Sequence, residues 1–184
     1  DDMWRDHFEI ASLLGKGDVS LLVFEGNWAL AEQNFSLALK VFENASRSFP
    51  EELRPVFGLG MAHFGLGNLA EAKVHFLEAK ALDPLMPDPL FQLGRVAEAQ
   101  EDWFKAVSYF GSCAKIDSSY QDVLHRLGSA LLRTENYDRA ARVFGRLVDK
   151  GNAPSSVFLN LGILALMRNQ ESVAREYFQE AVKA

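Results

Sequence analysis

Four histidines and one cysteine are the side chains here best suited to metal binding or nucleophilic chemistry, and their spacing suits neither. His7, His63, His75 and His125 stand far apart and form no H-E-x-x-H pattern or other ligand pair, so no metal site is expected. Cys113 is alone, which rules out an intrachain disulfide and a cysteine-built zinc site. No strand followed by a glycine-rich loop offers a cradle for phosphates, so no cofactor is expected. The sequons at Asn34 and Asn44 fall in or beside helical pattern and carry no functional reading. The reading is of a chain with no catalytic residues.

What remains is recognition chemistry. Large apolar side chains, aromatic and methionine, stand at Phe57, Met61, Phe64 and Phe91. Clusters of this kind usually mark a binding surface. Burying three or four of them would contribute roughly 1.5–3 kcal/mol each at most. After the costs of association, that supports affinity of about micromolar strength. Arg95, His125 and Arg133 carry side chains of the type that orients a ligand carboxylate or carbonyl. Net charge is −6, which argues against nucleic acid, whose phosphates call for a basic face. No run of 18 or more apolar residues is present, so no membrane span is expected.

The elements that position these groups come from a repeat. Glycine stands at Gly26, Gly60, Gly94, Gly128 and Gly162, each 34 residues after the last. Chance would put five glycines in one phase on the order of once in twenty thousand sequences, so the period is real. Alanine keeps it at Ala38, Ala72, Ala106, Ala140 and Ala174, and phenylalanine at Phe42, Phe76, Phe110, Phe144 and Phe178. Each unit holds two windows with apolar residues at i, i+3, i+4 and i+7, joined by a polar break such as Gly67-Asn68 or Asn136-Tyr137. Two antiparallel helices per unit follow, with glycine and alanine at their close approach and the phenylalanine filling the seam to the next unit. Pro50 and Pro84 stop second helices, while Asp88-Pro89 and Pro154-Ser155 look like starts.

The columns Leu59-Gly60, Leu93-Gly94, Leu127-Gly128 and Leu161-Gly162, with Ala72, Phe76 and Ala79 and their counterparts, resemble the tetratricopeptide repeat. Unit one departs with Glu25-Gly26, unit four has Leu147 in the last slot, and Ser118 and Asn152 replace the terminal proline. The resemblance implies an all-α, right-handed superhelical solenoid of five 34-residue helix-turn-helix repeats: 19–52, 53–86, 87–120, 121–154 and 155–184. Residues 1–18 carry half a repeat in phase, with Trp4, Phe8 and Ala11 in second-helix slots. A capping helix over roughly residues 2–14 is expected there.

In the family, first helices line a concave groove. Carried over, the resemblance implies a peptide-binding wall of Asn27, Leu30, Phe57, Met61, Phe64, Phe91, Arg95, Glu98, His125, Ser129, Leu132, Arg133, Leu159 and Ile163. The clamp with which cochaperone members hold a C-terminal carboxylate is absent. Asn27 fits one of its slots, but Val23, Gly58, Asp88 and Gln92 fill those that need basic or amide groups. His63 and Cys113 fall in core columns and read as packed side chains.

The expected function is a protein-binding module, an adaptor or chaperone within a larger assembly, similar to bacterial members that serve secretion or assembly machines. A scaffold self-assembling through the solenoid ends, with an open face near Val173, Tyr177 and Ala181, is the alternative. The regulatory arm of an enzyme lying outside this segment is a distant third. The chain starts at Asp1 and stops at Ala184 inside a helical pattern, so it reads as a piece of a longer protein. The single cysteine favours the cytoplasm, with the periplasm open if a targeting segment was removed.

Overall fold

The computed structural model describes residues 18–120, 122–151 and 153–184. The capping helix expected over 2–14 lies outside them. Ten α-helices and no strands occur among the described residues: α1 (Val19–Ala31), α2 (Phe35–Ser48), α3 (Leu53–Gly65), α4 (Leu69–Leu82), α5 (Pro87–Ala99), α6 (Trp103–Ile116), α7 (Val123–Arg133), α8 (Tyr137–Asp149), α9 (Ser155–Met167) and α10 (Glu171–Lys183). They divide into two compact units, residues 1–96 and 97–184, with the division inside α5.

In the first unit α1 packs on α2, α2 on α3 and α3 on α4, and α1 also touches α3. In the second, α6 packs on α7, α7 on α8, α8 on α9 and α9 on α10. Within each unit these helices meet their neighbours in sequence, the signature of a repeat stack whose stability is a sum of nearest-neighbour interfaces.

The seams are built as the columns require. Phe42, Phe76, Phe110 and Phe144 are fully buried, as are Ala38, Ala72, Ala106 and Ala140 beside them. A Cβ added to Gly26 or to Gly58 would stand 2.4 Å from the Phe42 ring, so one phenylalanine is gripped by two first helices at once. Glu25 occupies the slot filled elsewhere by Leu59, Leu127 and Leu161, which are about 5% exposed. Its half-buried carboxyl is pushed above the usual range by loss of water.

Helix ends follow local chemistry. Asp18, Asn34 and Asp102 cap α1, α2 and α6 by accepting backbone N–H groups of Ser20, Leu37 and Lys105. Between the two helices of each unit the chain turns through a left-handed residue at a fixed place: Gln33, Gly67, Glu101, Glu135 and Asn169, with φ of 55–79°. Only one of the five is glycine, so the turn is imposed by the helices it joins and not by the residue at its corner.

Candidate functional site

The first helices expected to serve recognition are α1, α3 and part of α5 in the first unit and, described separately, α7 and α9 in the second. In the first unit Asn27 is exposed, and Leu30 packs against the core of Ala29, Ala38, Phe42, Leu59 and Ala62. Phe57, Met61 and Phe64 are half-buried. The Phe57 ring lies 5.5 Å from buried Phe76, so it serves the core as well as the surface. The Arg95 guanidinium sits 4.6 Å over the Phe64 ring and donates to Gln92 Oε1 at 3.0 Å. That geometry is a cation–π contact braced from one side.

Two sequence expectations need correction. Phe91, expected on the open wall, is 1% exposed. Phe91 is buried even though Pro87, Asp88, Arg95 and Glu98, which share its face of α5 at i−4, i−3, i+4 and i+7, are only half-buried, so its ring is covered by what lies over that face and not by the helix turning it inward. Glu98 is expected from sequence to meet a ligand, but its carboxylate is held by Arg126 at 2.7 Å. Arg126 also binds Asp122 at 3.0 Å. Burial acts to lower the Arg126 pKa, yet Glu98 and Asp122 outweigh it and the guanidinium is held above its usual range.

In the second unit His125 Nε2 lies 3.2 Å from Ser156 Oγ, joining the first turns of α7 and α9. Ser129 and Leu132 are half-buried, and Arg133 is exposed with its guanidinium 4.8 Å over the Trp103 ring. Sequence reasoning misses Trp103, because it opens a second helix and reaches the wall only by tertiary packing. α9 presents an open apolar face. Leu159, Ile163, Leu166 and Met167 are 46%, 51%, 47% and 56% exposed, while Val157, Leu161, Leu164 and Ala165 on the other side are buried. No group of three or more potential metal-ligating side chains occurs among the described residues, and no described helix is long and apolar enough to cross a membrane.

A histidine pair lies off this wall. His63 on α3 and His75 on α4 stack with ring centres 5.4 Å apart and planes 10° apart. Asn68 Nδ2 approaches His63 Nδ1 at 3.4 Å, and His75 Nδ1 lies 3.5 Å from Glu78 Oε2. Burial chiefly lowers the His63 pKa, His75 lowers it further, and Glu71 and Glu43 oppose. The unfolded histidine binds its proton near the ordinary value of 6.5, above the folded one. Stability is therefore complete above that pH and falls as the pH drops from there through the folded value. Melting temperature should fall between about pH 7.5 and pH 5.5 by more in the natural chain than in His63→Gln. Equal pH dependence in the two would remove His63 as the source.

With this geometry in place the comparisons are direct. The tetratricopeptide repeat family model matches residues 25–87 and 125–184, more than half of the chain, which belongs to the tetratricopeptide repeat family. The fold is that family's all-helical solenoid, and the general role it carries is that of a protein-interaction scaffold. A search of the curated proteins finds no significant match. Among solved structures, MamA residues 41 to the end from Desulfovibrio magneticus RS-1 superposes with a TM-score of 0.78 at 17% identity, over 90% of this chain and 93% of that one. YrrB, a TPR protein described as having an unusual peptide-binding site, gives 0.78 at 19% identity over 96% and 91%. A tetratricopeptide repeat protein from Parabacteroides merdae ATCC 43184 gives 0.68 at 13% identity over 94% and 68%. At such identities the likeness is one of fold.

Proposed function

We propose that this chain is a binding module that holds a segment of a partner protein against its apolar first-helix wall, as an adaptor or chaperone in a larger assembly. The observation that carries the reading is α9. It has no ionisable residue from Ser155 to Met167, yet four of its large apolar side chains stand about half open to water. A helix apolar all round is ordinarily buried all round. Covering the open side would contribute up to roughly 1.5–3 kcal/mol per side chain, enough after association costs for about micromolar binding. The cytoplasm is part of the same proposal, on the strength of a lone free thiol, Cys113.

The test is a pull-down from source-cell lysate, comparing the natural chain with a Leu159→Glu, Ile163→Glu double variant of unchanged helical circular dichroism. The natural chain should enrich a protein that the variant loses. Recovery of the same set by both baits would remove the wall as the site.

One observation favours a second reading, association between copies. Phe178 shares the column of four fully buried phenylalanines, yet it is only half-buried and lines a cavity of about 700 Å³ with Leu166, Ala174 and Val182. Val173, one of the residues expected from sequence on an open face, is also exposed, and Tyr177 and Ala181 are half-buried. A sedimentation coefficient that rises with concentration and falls back in Phe178→Glu would favour this reading over the first.

A further inference from the structure

We infer that the α7/α9 wall takes a partner segment that is helical and amphipathic, with carboxylates flanking its apolar stripe; this rests on the binding reading above and names the kind of partner. Leu159, Ile163, Leu166 and Met167 recur at i, i+4, i+7 and i+8, one stripe about 12 Å long. A ridge at that spacing accepts a second helix whose side chains fall into its grooves. An extended segment would bring unpaired backbone N–H and C=O groups against side chains that cannot hydrogen-bond to them. A helix satisfies its own backbone and so is the conformation this surface favours.

The sign of the partner's charge follows from how the wall's own charges are placed. Both α7 and α9 pack on α8, the helix that joins them in sequence, and both run opposite to it, so they run the same way. The contact between His125 and Ser156 fixes their relative height. Arg133, eight residues beyond His125, is therefore level with the stretch from Ile163 to Met167, which begins seven residues beyond Ser156. The acidic groups of this wall, Glu98 and Asp122, are both held by Arg126. Arg133 rests on Trp103, is exposed, and makes no ion pair among the described residues. Apolar stripe and open guanidinium together select apolar residues beside carboxylates, and they disfavour a basic segment.

The probe is a pair of labelled, end-capped 16-residue helix-forming peptides with one leucine stripe at i, i+4, i+7 and i+11, flanked in one by glutamates and in the other by lysines. Fluorescence anisotropy with the full chain should show the glutamate peptide binding about tenfold or more tighter than the lysine peptide. Ile163→Glu should weaken the glutamate peptide at least about tenfold, and Arg133→Glu should reverse the preference between peptides. Val74→Glu, an exposed change on α4, should leave both unaffected. The inference is overturned if neither peptide binds, if both bind alike and ignore Arg133→Glu, or if sedimentation shows self-association that Ile163→Glu abolishes. Loss of lysate partners in the wall variant without peptide binding would sink this inference and leave the binding module standing. Unchanged lysate partners would sink the module itself.

Discussion

Phe144→Ala is expected to destabilise the second unit by about 3–5 kcal/mol, while Phe178→Ala, the same change one repeat later, costs about half of that or less. The two residues occupy one sequence column and begin from the same local pattern. They differ in what covers them. Phe144 is fully buried, its ring set against Gly128 on one side and 6.5 Å from the His125 ring. Truncating it leaves a cavity between helices that cannot collapse without giving up their register. Phe178 sits beside Gly162 in the same way, but its other flank lines the open cavity. Alanine there removes less buried area and creates no enclosed void. Urea denaturation followed by circular dichroism measures both, and because repeat stacks unfold unit by unit, the midpoint of each transition should be compared. Equal losses at the two positions would mean that Phe178 is covered in solution.

That contrast also marks how far the sequence can be read. Columns repeating every 34 residues specify the helix pairs and the seam residues because those positions face the same surroundings in every unit, so Phe42, Phe76, Phe110 and Phe144 all come out buried. Surface exposure is legible where a unit behaves like the average one, as at Leu159 and Ile163, which are about half exposed. Legibility fails where neighbours differ. Phe91 is assigned to solvent by its column, but its ring is covered on a face where Asp88, Arg95 and Glu98 stay half-buried, which no property of residue 91 announces. Glu98 is assigned to a ligand, and Arg126, 28 residues away, holds it. The stacking of Arg133 on Trp103 is likewise invisible, since it joins a first helix to a second helix whose residues follow a different column. Side-chain pairings across repeats depend on which two residues meet, and a periodic pattern specifies only the average partner.

Gly128→Ala should destabilise the natural chain and stabilise the Phe144→Ala variant, a reversal of sign that isolates the glycine's role. In an open helix interior alanine is better than glycine by about 1 kcal/mol, because glycine loses more backbone freedom on folding. At Gly128 a Cβ would fall 2.3 Å from Phe144 Cε1, with two further ring atoms at 2.6 and 2.7 Å. The ring is fully buried and has no room to retreat, so overpacking of about 1–3 kcal/mol exceeds the gain in helix propensity. With Phe144 cut back to alanine every one of those atoms is gone, and only the propensity gain remains. The coupling between the two sites should therefore amount to about 1–3 kcal/mol. Gly145 on α8, where an added Cβ would meet nothing within 4 Å, provides the control: Gly145→Ala should be stabilising in both backgrounds. If Gly128→Ala destabilises both backgrounds equally, the glycine is needed for its backbone and not for the close approach of α7 to α8. If it stabilises both, the seam is looser than the contact distances imply, and the fixed glycine column reflects no packing demand at this repeat.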